Sequence, residues 1–517
     1  MTGEDAAFPV EWENPADAQL TWRFSAEHMP LAVTPLEFEL GTQRFLEGFG
    51  WGMVPRQFNY YIYFALGGPS QDPAPPPATA ASVREAGRRW RDDILPEVLR
   101  HTEHYRATDF GSLTNEQLAS EIERLPEVRY RAGQLHTMAV RPHWEGMSLL
   151  IRTYKELTGG DDLAAMRLVQ GYPDKSFESA ERLWSVSRTA AALPLVAGQI
   201  RAMTAETALE TLAVLRLEPA ATPFIDAFDA YLEAYGWRSN ASFGTPTWNE
   251  DPAVPLTILR SYLQTEGYDP AEEQRRLIEE REAAVRETMA ALDDEGRVRL
   301  QDVLEAACAV APLLEDHNFF IDQRLASMPR RLVLAAAARL PLSTPRDVFF
   351  LRRGELCAAL RGEMSGLDAL TKQRKQEFAR WRTVKPPDFI GLRPPEMPAR
   401  QERPTSRDGS PGELRGTGAS AGVTRGPARI LIGLDEAGRL RPGDVLVTSV
   451  TQPAWTPLFA IARAVVTEVG GMLSHTAVAA REFGLPAVVA LPGATRLLRD
   501  GQLVEVDGSA GIVRVLG

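Results

Sequence analysis

One histidine carries the clearest chemical signal in the chain. His475 lies in the stretch TEVGGMLSHTAVAAREFGLPAVV, residues 467–489. The run AVVTEV reads as a strand that Gly470 and Gly471 break, SHTAVAAREF reads as a short helix, and GLP ends that helix before the next strand. Ser474 is the expected N-cap, which puts His475 in the first helical turn. Free backbone N–H groups and the positive end of the helix dipole favour an anion there, and the glycines let the backbone approach a phosphate. An imidazole so placed can be a nucleophile that accepts a phosphoryl group. The same residues also describe a capped helix whose histidine only satisfies a loop carbonyl, so the surroundings must decide.

Those surroundings divide the chain. At 517 residues two to four domains are expected, and 44% apolar residues are ample for packed cores. The net charge of -12 has no basic block, which argues against nucleic acid as a partner. Cys308 and Cys357 lie in helical patterns without ligand spacing, and no apolar run suggests a signal peptide or membrane span. A cytoplasmic protein is expected. From about Asp17 to Arg380 apolar residues recur mostly at helical spacing, with PAPPP at 74–78 marking an early loop. Residues 384–413 are dense in Pro, Gly and polar side chains and read as a linker. From 414 to 517 short β-branched runs alternate with glycine turns and a few short helices. The expected architecture is a large, mostly helical domain at 1–383, the linker, and a small α/β domain at 414–517.

The last domain resembles the phosphohistidine swivelling domain of the phosphoenolpyruvate-utilising family. The similar blocks, in order, are LRGTGASAGVTRGPARIL, LRPGDVLVTSVTQPAWTPLF, AVVTEVGGMLSHTAVAAREFGLPAVV and LLRDGQLVEVDGSAGIVRVL. The resemblance implies that His475 is the phosphorylated histidine and that Gly470, Gly471, Ser474 and Thr476 form its loop. It matches Arg481 and Glu482 to a pair on the family's helix. The helical body is similar to the substrate-binding region of rifampin phosphotransferase-like proteins, through WRFSAEHMPLAVTPLEFE, AYLEAYGWRSNASFGTPTWNEDPAVPLTILRSYL and LEDHNFFIDQRLASMPRRLVLAAAARLPLSTPRDVFFLRRGEL. One departure is visible: Gly236, Trp237, Arg238 stand where a Gly-His-Arg is common in that family. No ATP-grasp glycine loop, P-loop or phosphoenolpyruvate-binding barrel is recognisable. The resemblance therefore implies charging by a separate ATP-grasp protein that brings ATP and Mg²⁺.

An acceptor site is expected in the body. Arg238, Trp248, Asn249 and Glu250 lie in a loop-like stretch that offers a cation, a ring and a carboxylate to a ligand, or that simply caps helices. Asp316, His317 and Arg324 fall in one expected helix, where residues seven apart share a face. His136 and His143 have the same spacing but no partner at ligand distance in sequence, so no metal site is expected. His28, His101 and His104 suggest no role.

Three kinds of function fit. The first is a two-component phosphotransferase in which His475 passes a phosphoryl group to a small organic acceptor, with net dehydration or cyclisation when the phosphorylated hydroxyl leaves. The second is a phosphate-independent lyase, isomerase or dehydratase using His475 as acid or base. The third is a non-catalytic phosphohistidine regulator.

Overall fold

Short polar caps set where the helices of the body begin. The structure is a computed structural model that describes residues 8–25, 29–66, 77–239, 243–265, 269–392 and 412–516. Its spine is a long helix, Asn115–Thr158, opened by a capping box between Thr114 and Gln117 and closed by Gly159 in the left-handed conformation. A second helix, Lys175–Ala191, starts on Asp174, whose carboxylate accepts from the backbone N–H groups of Ser176 and Phe177, each at 2.8 Å. A short helix, Leu313–His317, runs directly into a π-helical segment, Asn318–Leu325.

The body is not helical throughout. Strands β1 (Thr21–Phe24), β2 (Pro55–Phe58), β3 (Tyr61–Leu66) and β4 (Phe389–Gly391) form an antiparallel sheet in the order β2-β3-β1-β4. Aromatic residues of this sheet bury against Phe8 and Trp381, and the hydroxyls of Tyr61 and Tyr63 donate to the carbonyls of Val384 and Pro387. Helical periodicity dominates residues 17–380 so strongly that β1, β2 and β3 are hidden within it. Strand β4 also lies inside the stretch read as linker: residues 384–392 are fastened to the body, and 393–411 lie outside the described residues.

The second sheet has eight strands: β5 (Glu413–Arg415), β6 (Thr417–Ser420), β7 (Val423–Ile430), β8 (Val445–Thr448), β9 (Ala464–Thr467), β10 (Ala487–Val489), β11 (Leu503–Asp507) and β12 (Ile512–Val515). Their order is β5-β12-β11-β7-β8-β9-β10-β6. The strands from β7 to β10 are parallel neighbours, and both flanks are antiparallel. Strands β8, β9 and β10 are buried along their whole length, which is why they read as unbroken apolar runs. A large helical body with a small α/β domain at its C-terminal end is therefore the observed fold class. The two regions share a core: Phe483 of the α/β domain packs on Phe177 of the body with ring centroids 5.3 Å apart.

Candidate functional site

The histidine corner forms as its residues dictate. Helix His475–Glu482 connects β9 to β10, and Ser474 Oγ accepts from the N–H of Ala477 at 3.4 Å. Gly470 has φ +129°, a conformation L-residues rarely adopt, and a side chain there would meet Ser474 Oγ. Gly471 needs no such conformation, and a Cβ there would meet nothing within 4 Å. Thr476 is buried and its hydroxyl bonds that of Thr451 at 2.7 Å, so it anchors the helix to the preceding loop.

The imidazole meets the body. His475 Nδ1 lies 2.7 Å from Glu315 Oε1, and the other carboxylate oxygen of Glu315 accepts from Ser176 Oγ at 2.6 Å. Glu315 is 1% exposed. Burial raises its pKa, but His475 and the hydrogen bonds from His475 and Ser176 outweigh that and hold the carboxyl below its ordinary value. An ionised Glu315 can only accept, so Nδ1 carries a proton, and in the neutral form of the ring Nε2 carries the lone pair. Nε2 is buried and makes no hydrogen bond within the protein. The arrangement is a carboxylate–imidazole pair that fixes the tautomer and aims one nitrogen.

More carboxyl groups surround the pair. Glu482, at the C-terminal end of the histidine helix, accepts from the body's Gly171 N–H at 2.8 Å, and burial pushes it up to about 8. Burial, then the charges of Glu315 and Glu482, hold Asp174 well above its ordinary value. Arg481 donates to Ala419 O at 2.8 Å, and burial lowers it to about 10. Of these groups Glu482 makes the bond that joins the α/β domain to the body.

The acceptor residues expected from sequence scatter. Arg238 is fully buried, with its guanidinium carbon 5.8 Å from the Trp248 ring and 5.7 Å from the Phe319 ring. It donates to Pro453 O of the α/β domain at 3.1 Å and to Lys175 O at 3.4 Å, so it bridges the two regions. Trp248 is buried in the core, Asn249 donates its N–H to Gly236 O, and Glu250 accepts from Arg330 Nε at 2.6 Å. Trp237 donates its indole N–H to Glu233 O at 3.1 Å. Asp316 accepts from the N–H of Lys175 at 3.0 Å, and burial raises it to about 6.

His317 and Arg324 do not work as one face. The segment between them is π-helical, and its wider turn takes about one more residue than an α-helical turn. His317 accordingly meets Asp322, Nε2 to Oδ2 at 3.6 Å, whereas Arg324 feels the charges of Arg106 and Glu103. His143 is buried with Nδ1 3.0 Å from Val310 O, and burial lowers it to about 4. His136 lies instead 2.9 Å from Asp322 Oδ1. His101 and His104 sit beside Glu97 and Glu121, and His28 lies outside the described residues.

Glu315, Ser176, Asp174 and Asp322 were not singled out from sequence. Glu315 stands next to Asp316 and His317 in LEDHNFF, and it is Glu315 rather than Asp316 that meets His475. Ser176 and Asp174 carry no local signal beyond a helix cap.

Comparison with known proteins agrees with this layout. Residues 440–511 match the PEP-utilising enzyme mobile domain, and residues 136–315 match the rifampicin phosphotransferase fourth domain. Chondramide synthase of Chondromyces crocatus is 33% identical over 98% of this chain and 14% of its own length. The uncharacterized phosphotransferase YvkC of Bacillus subtilis is 27% identical over 92% of this chain and 59% of its own. A rifampicin phosphotransferase of Streptomyces sviceus is 31% identical over 58% of this chain and 35% of its own. The chain thus spans less than two thirds of each of these relatives. Among the described residues no helix is long and apolar enough to cross a membrane. Over the matched segments the chain is similar to the phosphoenolpyruvate-utilising enzymes, and among them to the rifampicin phosphotransferases, as its histidine corner and helical body led us to expect.

Proposed function

We propose that this chain is the carrier and acceptor part of a phosphotransferase, with His475 taking a phosphoryl group on Nε2 and passing it to a small organic acceptor in the helical body. The observation that carries the reading is the 2.7 Å contact between His475 Nδ1 and the buried, ionised Glu315. When Nε2 gives its electron pair to phosphorus, the donor's P–O bond breaks and the ring, still protonated on Nδ1, becomes cationic. Once the charged domain docks on the body, Glu315 accepts from Nδ1–H and stabilises the cationic ring up to delivery without taking the proton, as the carboxylate of a catalytic triad does. On delivery the acceptor oxygen attacks phosphorus, the N–P bond breaks, its electrons return to Nε2, and the acceptor's proton leaves to solvent or a base. Positioning and charge stabilisation are what phosphoryl transfer chiefly needs from a protein.

In this reading ATP and Mg²⁺ charge His475 through an ATP-grasp partner protein. The α/β domain at 414–517 travels between that partner and the body, and the Pro/Gly-rich stretch after Leu392 acts as the tether that raises local concentration. The docked arrangement is then the body-facing end of the travel.

The same contact favours a second reading. A carboxylate-oriented imidazole with a free Nε2 lone pair is also a general base, and a domain that stays docked could use it for a lyase or dehydratase reaction without phosphate. ATP labelled separately at the β and γ positions, given with and without the ATP-grasp partner, decides between them. Partner-dependent β-label on His475, absent from His475→Ala, supports the carrier. Label-free protein whose activity still requires His475 supports the acid–base reading.

A further inference from the structure

The π-helical turn brings together three side chains that the phosphoryl chemistry does not use. His136 comes from the long helix, and His317 and Asp322 from the segment 313–325. One donor atom from each lies within 4.8 Å of the others. His136 Nδ1 is 2.9 Å from Asp322 Oδ1, and His317 Nε2 is 3.6 Å from Asp322 Oδ2. Residues five apart face away from each other on an α-helix, and i to i+5 bonding brings them onto adjacent turns.

The tautomer of His317 is set by the backbone. Its Nδ1 lies 2.7 Å from the carbonyl oxygen of Leu313, which can only accept, so Nδ1 bears the hydrogen and Nε2 of the neutral ring bears a lone pair. That lone pair faces a carboxylate oxygen at a distance too long for a hydrogen bond. Two acceptors turned toward each other are stabilised by a cation between them. With metal–ligand bonds of about 2.0–2.2 Å, ligands on one ion stand roughly 3.0–3.5 Å apart, near the His317–Asp322 separation, and the 2.9 Å His136–Asp322 contact is a hydrogen bond whose proton a bound ion would replace. A ligating histidine ordinarily donates its other ring N–H to a carbonyl or carboxylate, as His317 does. The His136 ring is held flat on Phe49, with centroids 4.4 Å apart and planes 6° from parallel. Phe49 also lines a cavity of about 450 Å³ with Thr137 and Arg141. Arg129 acts on Asp322 electrostatically, but its Nε and Nη2 donate to Gly41 O at 3.0 and 2.7 Å.

We propose that His136, His317 and Asp322 form a site for one divalent transition-metal ion, with two imidazoles and a carboxylate as protein ligands. That donor set suits Zn²⁺ and Co²⁺. A bound ion would brace the segment that presents Glu315 to His475.

The test uses the full chain stripped with chelator and titrated with Zn²⁺ by calorimetry, and with Co²⁺ by visible absorption. The expected result is one ion per chain, with affinity at least about 100-fold weaker in His317→Ala and in the isosteric Asp322→Asn. His475→Ala should bind as wild type does, which separates this site from the His475–Glu315 pair. X-ray absorption of the one-zinc wild-type protein reads the ligands without any variant, and two imidazoles with an oxygen ligand are expected. No stoichiometric binding, unchanged binding in Asp322→Asn, or a zinc environment with fewer than two imidazoles would overturn the proposal.

Discussion

The histidine helix and the body wall facing it are built by opposite means. The helix is a local construction: Gly470, Ser474 and His475 lie within six residues, and each does what its type predicts. The wall is assembled from distance. Asp174 and Ser176 open one helix, Glu315 lies within another almost 140 residues later, and a π-helical turn follows that helix. On the proposed reading a nucleophile is specified by a short motif, whereas the groups that orient it depend on packing between remote segments.

Four predictions sharpen or break that contrast, from the largest effect to the smallest. His475→Ala removes the carrier and is expected to abolish phosphoryl labelling, read by intact mass at alkaline pH. Label persisting in that variant would move the carrier elsewhere. Glu315→Gln keeps the shape but loses the charge that stabilises the ring, and transfer should fall about 10²–10³-fold while His475 remains chargeable. Unchanged single-turnover transfer would reduce Glu315 to a docking contact.

The third prediction concerns pH. Glu482 is pushed up to about 8 where it meets Gly171, and would return to about 4.3 if the α/β domain left the body. The docked state then holds the extra proton, so docking weakens as pH rises from about 4.3 to about 8 and levels off above that. Asp174, also raised, adds in the same direction. Small-angle scattering should show the wild-type particle expanding between pH 5 and 9, and Glu482→Gln expanding less over that interval. Equal expansion in both would remove Glu482 as the source. The smallest effect belongs to the local side: Ser474→Ala loses a cap bond at 3.4 Å and should cost about 1 kcal/mol of helix stability, seen as faster amide exchange over 475–482.

Legibility from sequence followed the same divide. The strands β8 to β10 and the helix between β9 and β10 were readable because fully buried strands are continuous apolar runs and a serine cap marks a helix start. The four-stranded sheet was missed because β1 and β4 are separated by more than 360 residues and pair only in the fold. Arg238 reads from sequence as part of a ligand-binding loop, yet that loop folds inward and the guanidinium bridges the two regions between Trp248 and Phe319. His317 and Arg324 looked aligned because seven residues nearly complete two α-helical turns, and the π-helical winding undoes that alignment.

The central claim is that His475 brings its phosphoryl group to the body on Nε2, because Nδ1 is the nitrogen that meets Glu315 in the docked state. It is tested most directly by charging the ¹⁵N-histidine-labelled protein from ATP with the proposed ATP-grasp partner and reading the ³¹P–¹⁵N coupling by NMR at alkaline pH. The account predicts one phosphoryl group, on Nε2 of His475. A phosphoryl group on Nδ1, or on another side chain, would contradict it.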